Sequence, residues 1–182
     1  VERGTCGGTC LNVGCIPSKM FVLPADLAES ARHSAKVGVD LSFNGVDWPA
    51  IRDRVFGRID PISAGGEEYR ATGTPNVTYI RGTGRFTGDK TIHVDDGTDQ
   101  GRALSAPRVL VAAGARPVEP SIEGLADVGY HTSDTVMRLD ELPERMGIIG
   151  GGFIAVEMGH VFAGFGTAVT MFNRSGALLR VQ

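Results

Sequence analysis

No apolar run in this 182-residue chain approaches the roughly 20 residues that a membrane-crossing helix needs. No stretch has the form of a secretory signal. Neither sign of charge dominates: 18 Lys and Arg face 21 Asp and Glu, a formal net charge of −3. That balance gives no reason to expect nucleic acid or an anionic membrane surface as a partner. Cysteine is scarce, at three residues. Three cysteines cannot form the paired framework of a small secreted domain, and they suit a reducing cytoplasm. No internal repeat and no low-complexity tract is visible. No carboxylate occurs from Gly159 to Gln182, an absence that matters for nucleotide choice. There is no Met at position 1, and the first motif follows almost at once, so the sequence is expected to be an internal fragment.

What is present begins with Gly7-Gly8-Thr9-Cys10-Leu11-Asn12-Val13-Gly14-Cys15-Ile16-Pro17-Ser18-Lys19. The Cys-x4-Cys spacing closes a very small loop, which makes a poor entropic staple. It reads as a redox-active disulfide. Pro17 suits the first turn of a helix, because its missing N–H would be an orphan there. Cys15 is then expected beside a helix N-terminus, whose partial positive charge favours thiolate. Lys19 lies one turn further on and can face the same side. The competing readings are buried cysteines in a glycine-rich loop, or a metal site built from Cys6, Cys10, Cys15 and His33. The Cys-x3-Cys-x4-Cys run does not match paired CxxC zinc spacing.

The periodicity predicts a helix over 11–36, with Met20, Leu23, Leu27, Ala28 and Ala31 on its apolar face and a kink or break at Pro24. A second helix is predicted over 47–70, with Trp48, Ile51, Val55, Ile59 and Ile62 on one stripe. Pro61 and Gly65-Gly66 are expected to interrupt or end it. Val77 to Ile80, Gly84 to Phe86 and Thr91 to Val94 read as an antiparallel meander. Arg108 to Ala113 reads as a buried parallel strand. Residues 117–145 read as a connection with one short helix capped by Ser133 and Asp134.

From about Met146 a βαβ unit follows: strand Gly147 to Ile149, helix Phe153 to Phe165, strand Ala168 to Phe172. Between its first strand and helix, Gly150-Gly151-Gly152-Phe153-Ile154-Ala155 fits G-x-G-x-x-A. In that context the glycines allow pyrophosphate to approach the helix N-terminus. An acidic residue at the end of the next strand would favour NAD. Asn173 and Arg174 stand there instead, with Arg180 beyond, and guanidinium groups are well shaped to hold phosphate. The reading is NADPH. Glu157 sits on the otherwise apolar stretch Ile154 to Phe162, where a carboxylate needs a partner.

The cysteine run resembles the redox motif of the flavin-dependent pyridine nucleotide–disulfide oxidoreductases, the class I family of glutathione reductase and lipoamide dehydrogenase. The likeness covers essentially the whole chain. It implies an α/β fold: a partial FAD-binding Rossmann-like domain with an antiparallel meander over 1–116, then a connection and the first βαβ unit of an NADPH-binding domain over 117–182. It implies that Cys10 attacks a small-molecule disulfide and that Cys15 resolves the mixed disulfide next to the flavin. It implies that Lys19 pairs with Glu157 at the flavin. The family's second lysine position is Ser18 in this chain. It implies FAD contacts from Glu2, Gly8, Thr9, Cys15, Lys19 and Gly114, and nucleotide contacts from Gly150, Gly152, Phe153, Ile154, Glu157, Arg174 and Arg180. Phe153 stands where glutathione reductase has a gating tyrosine; simple core packing is its other reading. A cytoplasmic homodimer is implied. The family's catalytic histidine comes from the partner subunit, and none of His33, His93, His131 and His160 matches it. The segments Lys19 to Val22, Val55 to Ile62 and Tyr130 to Arg138 resemble most the branch of the family that reduces mycothione; the alternative is another branch, that of glutathione reductase, mercuric reductase or lipoamide dehydrogenase, the last disfavoured by Arg174 and Arg180. The chain alone is expected to bind FAD poorly and to turn nothing over.

Overall fold

Tertiary packing overrides several of these local signals. A computed structural model of the chain describes residues 1–179. The helices are α1 (Gly8–Asn12), α2 (Cys15–His33), α3 (Trp48–Glu68) and α4 (Phe153–Phe165). The strands are β1 (Thr83–Gly88), β2 (Thr91–Asp95), β3 (Arg102–Ser105), β4 (Arg145–Ile149) and β5 (Ala168–Phe172). Two compact units result. One comprises residues 1–12 and 59–116; the other comprises 13–58 and the chain from 117 onward.

The first unit is an antiparallel three-stranded sheet in the order β1-β2-β3. β2 is central, pairing Gly84 with Val94 on one side and Ile92 with Leu104 on the other. Val94 is its fully buried residue. The meander is therefore shifted along the chain. Val77 to Ile80 is not a strand: Val77 closes a turn on the Thr74 carbonyl, and only one isolated parallel bridge, Glu2 with Arg81, follows. Tyr79 and Arg81 instead bind the carboxylate of Glu67 at 3.1 and 2.6 Å. The Arg81 contact holds that carboxyl below its ordinary range. β3 was not foreseen, because Leu104 is its only large apolar residue. Its register comes from backbone pairing with β2.

Arg108 to Ala113 is a correction too. It forms no strand, and Leu110 and Val111 are 90% and 68% exposed. A parallel strand is buried only when strands flank it and helices cover it. No strand among the described residues lies alongside.

The second unit packs α2 and α4 together and pairs β4 with β5 in parallel, Arg145 opposite Ala168 through Ile149 opposite Phe172. This βαβ unit has the expected bounds within two residues. α2 begins at Cys15, after a separate short α1, because Val13-Gly14 breaks the helix. Pro24 does not end α2. The carbonyl that its missing N–H leaves open belongs to Met20, and Arg54 Nη2 donates to that carbonyl at 3.0 Å. The buried face of α2 is Pro17, Ser18, Phe21, Ala25 and Ala28. Leu23 and Leu27 point outward, at 58% and 64% exposed. The predicted stripe was thus out of phase by a fraction of a turn.

α3 likewise runs through Pro61 and Gly65-Gly66. Buried Ile59 and Ser63 flank Pro61, and burial outweighs local propensity. Ile62, predicted inside, is 52% exposed. Residues 117–145 hold two 3-10 turns, Leu125–Asp127 and Val136–Arg138. Thr132, not Ser133 or Asp134, closes the second: its carbonyl accepts the Val136 N–H at 2.9 Å, and its hydroxyl accepts that of Asp134 at 3.2 Å.

Trp48 centres the core of the second unit. It is 2% exposed and lies 5.3 Å from the Phe21 ring, 5.5 Å from Phe162 and 6.1 Å from Phe165. Its indole N–H donates to the Leu139 carbonyl at 2.8 Å. Trp48→Ala is expected to cost about 3–5 kcal/mol. Urea unfolding checks this; a loss under about 1 kcal/mol would remove Trp48 from the centre of the core.

Candidate active site

α2 starts at Cys15 after Gly14, α4 starts at Phe153 after Gly152, and these two helices pack on one another. The glycine-rich run that leads through α1 to the start of α2 holds the cysteines. Gly7 and Gly8 have φ of 107° and 64°, a region that favours glycine, and a Cβ on Gly7 would lie 2.4 Å from a Leu11 methyl. The Asn12 amide nitrogen donates to the carbonyls of Cys6 and Gly8, both at 3.0 Å. Ser63 Oγ also donates to the Cys6 carbonyl. The Asn12 Oδ1 is buried with no hydrogen-bond partner. An orphaned acceptor of this kind costs about 1–3 kcal/mol, and a donor from a bound group or water would relieve it. Asn12 has no role in the sequence reading. The signal was available: an amide four residues after Gly8, on a short helix, beside an apolar run.

Cys10 lies in α1 and Cys15 is the first residue of α2; both are exposed thiols. Cys6 is a buried thiol in the first unit. The N-cap of α2 is Gly14, which has no side chain to cap the first turn. Ser18 N–H bonds the Gly14 carbonyl at 3.0 Å, while Pro17 contributes no N–H at all. Cys15 thus sits at the uncapped positive end of a 19-residue helix. One turn later Lys19 Nζ donates to Glu157 Oε1. The Lys19 side chain is 67% exposed and Glu157 only 20%. Ser18, at the alternative lysine position, is buried with its hydroxyl near the Cys15 carbonyl at 3.4 Å.

The second turn is Gly150-Gly151-Gly152. Gly150 has φ 134° and donates its N–H to the Phe172 carbonyl at 2.9 Å. A Cβ on Gly151 would come within 2.6 Å of the Asn173 side chain. Gly152 is the N-cap of α4, again without a side-chain cap, and open space surrounds its missing Cβ. An uncapped helix start with room for a close approach fits a pyrophosphate. Phe153 and Ile154 are 74% and 46% exposed, so Phe153 is not core packing. Asn173 turns inward on its own loop, donating to the Ser175 and Ala177 carbonyls at 2.8 and 2.7 Å. Arg174 is exposed on that loop. Arg180 lies outside the described residues.

The remaining candidates belong to the first unit. Glu2 accepts the Gly4 N–H at 2.8 Å through Oε1 and joins Arg81 by one bridge. Gly8 and Thr9 are exposed in α1. Gly114 has φ 71° in an exposed segment outside helix and strand. Among the described residues, no three His, Cys, Asp or Glu side chains gather as a metal site. His33 instead meets Glu29 at 2.7 Å. No helix among them is long and apolar enough to cross a membrane.

A parallel βαβ unit with a glycine turn thus packs, through α4, on the helix that Cys15 opens. Comparison with known proteins identifies the family. The family described as pyridine nucleotide-disulphide oxidoreductase matches residues 2–182. The chain is 48% identical over 183 residues to mycothione reductase of Mycobacterium tuberculosis (strain ATCC 25618 / H37Rv), covering 98% of this chain and 39% of that protein. It is 35% identical to mercuric reductase of Staphylococcus aureus, covering 99% of this chain and 32% of that protein. Among solved structures, the Cu(II) complex of the HOCl-induced flavoprotein disulfide reductase RclA from Escherichia coli superposes with TM-score 0.80 at 26% identity, over 98% of this chain and 36% of that one. The chain belongs to the pyridine nucleotide-disulphide oxidoreductase family, whose members are flavin-dependent enzymes. It spans about two fifths of the length of the mycothione reductase it matches.

Gly151→Ala is expected to displace the Asn173 side chain and distort the turn. In the full-length protein, affinity for pyridine nucleotide should fall about tenfold, or 1.4 kcal/mol, within the usual range for a local steric substitution. A fluorescence titration reads it; unchanged affinity would mean that the turn does not contact the nucleotide.

Proposed function

We propose that this chain is part of a longer NADPH-dependent FAD disulfide oxidoreductase acting on a low-molecular-weight disulfide, mycothione. Residues 1–116 are read as part of the FAD-binding domain and 117–182 as the connection and the start of the NADPH-binding domain. The observation that carries the reading is one continuous arrangement. Cys15 opens α2, Lys19 follows a turn later, and Lys19 is paired with Glu157 of the helix that begins at the nucleotide-type glycine turn.

FAD, when bound, would take hydride from NADPH and deliver two electrons to the cysteine pair. The chain's own residues do the rest. The start of α4 and the Gly150–Gly152 turn receive the pyrophosphate. Arg174, and Arg180 in the same reading, hold the 2′-phosphate that distinguishes NADPH from NADH. The Lys19 ammonium, fixed by Glu157, presents a positive charge at the flavin edge. The Cys10 thiolate attacks one sulfur of the substrate disulfide; that S–S bond breaks and the first thiol leaves. The Cys15 thiolate then attacks the Cys10 sulfur, the second thiol leaves, and the Cys10–Cys15 disulfide forms. Each leaving thiolate needs a proton, and none of the chain's four histidines is assigned to supply it. A cytoplasmic homodimer belongs to the same reading.

Identity to the M. tuberculosis mycothione reductase is higher than to the mercuric reductases, which supports the substrate. The test uses the full-length protein with NADPH and mycothiol disulfide, glutathione disulfide or lipoamide, and NADH as a control. Reduction of mycothiol disulfide with NADPH, at least a hundredfold above the other substrates and above NADH, is the expected result. Preference for another disulfide would retain the mechanism and reject the branch. Cys10→Ser and Cys15→Ser should each lower turnover by at least about 10³-fold, the scale of losing a nucleophile.

A further inference from the structure

The contacts of the seam between α2 and α4 fall in the same order along both helices. Lys19 meets Glu157 near the start; Asp26 meets His160 at 2.7 Å in the middle; Arg32 Nη1 donates to the Gly164 carbonyl at 2.6 Å at the end. At Gly164 the two helices are in close contact. A Cβ there would lie 3.0 Å from the Ala25 Cβ and 3.2 Å from the Ala25 carbonyl oxygen. Both helices are buried at that point, so neither can give way without moving its neighbours.

Arg32 is held for this task. Its guanidinium lies 4.0 Å over the Phe43 ring and reaches Glu29 at 3.5 Å. The Gly164 carbonyl belongs to the last turn of α4, where intrahelical donors run out. Gly166 and Thr167 N–H groups serve the Ala163 and Phe162 carbonyls. Arg32 serves the next one, and a cation there also favours the negative end of the helix. Asp26–His160 is exposed on both sides, at 57% and 43%, and adds little.

We propose that Gly164 and Arg32 are positioning residues that fix the axial register of α4 on α2, and through it the Lys19–Glu157 pair. Glu157 lies about two turns from Gly164 on the same rigid helix, so a shift at Gly164 is carried to the carboxylate. The proposal rests on the reading that Lys19 and Glu157 act at the flavin.

The test is a double-mutant cycle in the full-length reductase. Gly164→Ala and Arg32→Met are each combined with Glu157→Gln, reading kcat, KM for NADPH and the visible spectrum of bound flavin. Each single variant is expected to lower kcat about tenfold, the scale seen when a supporting residue is lost. KM for NADPH should stay within twofold, and the flavin spectrum should shift toward that of Glu157→Gln. On the Glu157→Gln background, neither change should lower kcat by more than a further twofold. Full multiplication of the effects, or a lowered melting temperature with kcat and spectrum unchanged, would overturn the proposal and leave the flavin reading standing. Glu157→Gln with unaltered kcat and spectrum would overturn both. Arg32 is partly exposed, so Arg32→Met carries the test if Gly164→Ala does not fold.

Discussion

The close packing of α2 on α4 is the constraint on which the second unit depends. Gly164 packs directly on Ala25, where an added Cβ would lie 3.0 Å from the Ala25 Cβ. Everything chemical on these helices follows from that approach. Cys15 starts one helix and the glycine turn starts the other. The Lys19–Glu157 ion pair ties the two near those starts. Leu23 and Leu27 lie outside, while the small Ala25 faces α4.

The two helix starts share one electrostatic design. Gly14 and Gly152 cap their helices without supplying a side-chain acceptor. The first-turn N–H groups are left uncapped, beside Cys15 at one start and, in the proposed reading, for a pyrophosphate at the other. A Ser or Asp cap would stabilise either helix by about 1 kcal/mol and occupy the site that makes it useful. Thermodynamic stability is given up locally and recovered in the aromatic cluster around Trp48.

Much of this was legible in the sequence because the relevant signals were local. The glycine turn, its flanking strand and helix, and the helix start at Cys15 are set by residues within a few positions. So was the need for a partner at Glu157, since an apolar helix face advertises its one carboxylate. What was not legible depended on distant atoms. Pro24 passes through α2 because Arg54, far along the chain, serves the Met20 carbonyl. β3 exists because β2 offers an edge to pair with, not because Arg102 to Ser105 has a strand pattern. Arg108 to Ala113 has the composition of a buried strand, but composition cannot create the neighbouring strands that burial requires. The phase of the α2 face was set by a glycine on α4.

The proposed account has electrons from NADPH arriving at one pair of thiols, Cys10 and Cys15, while Cys6 stays a buried bystander. The most direct measurement is thiol mapping on the full-length flavoprotein. The oxidised enzyme and the enzyme reduced anaerobically with one equivalent of NADPH are alkylated and read by peptide mass spectrometry. The account predicts that Cys10 and Cys15 are protected before NADPH and alkylated after it, with Cys6 the same in both samples. Alkylation of Cys10 and Cys15 that does not depend on NADPH, or a change that falls on Cys6, would contradict it.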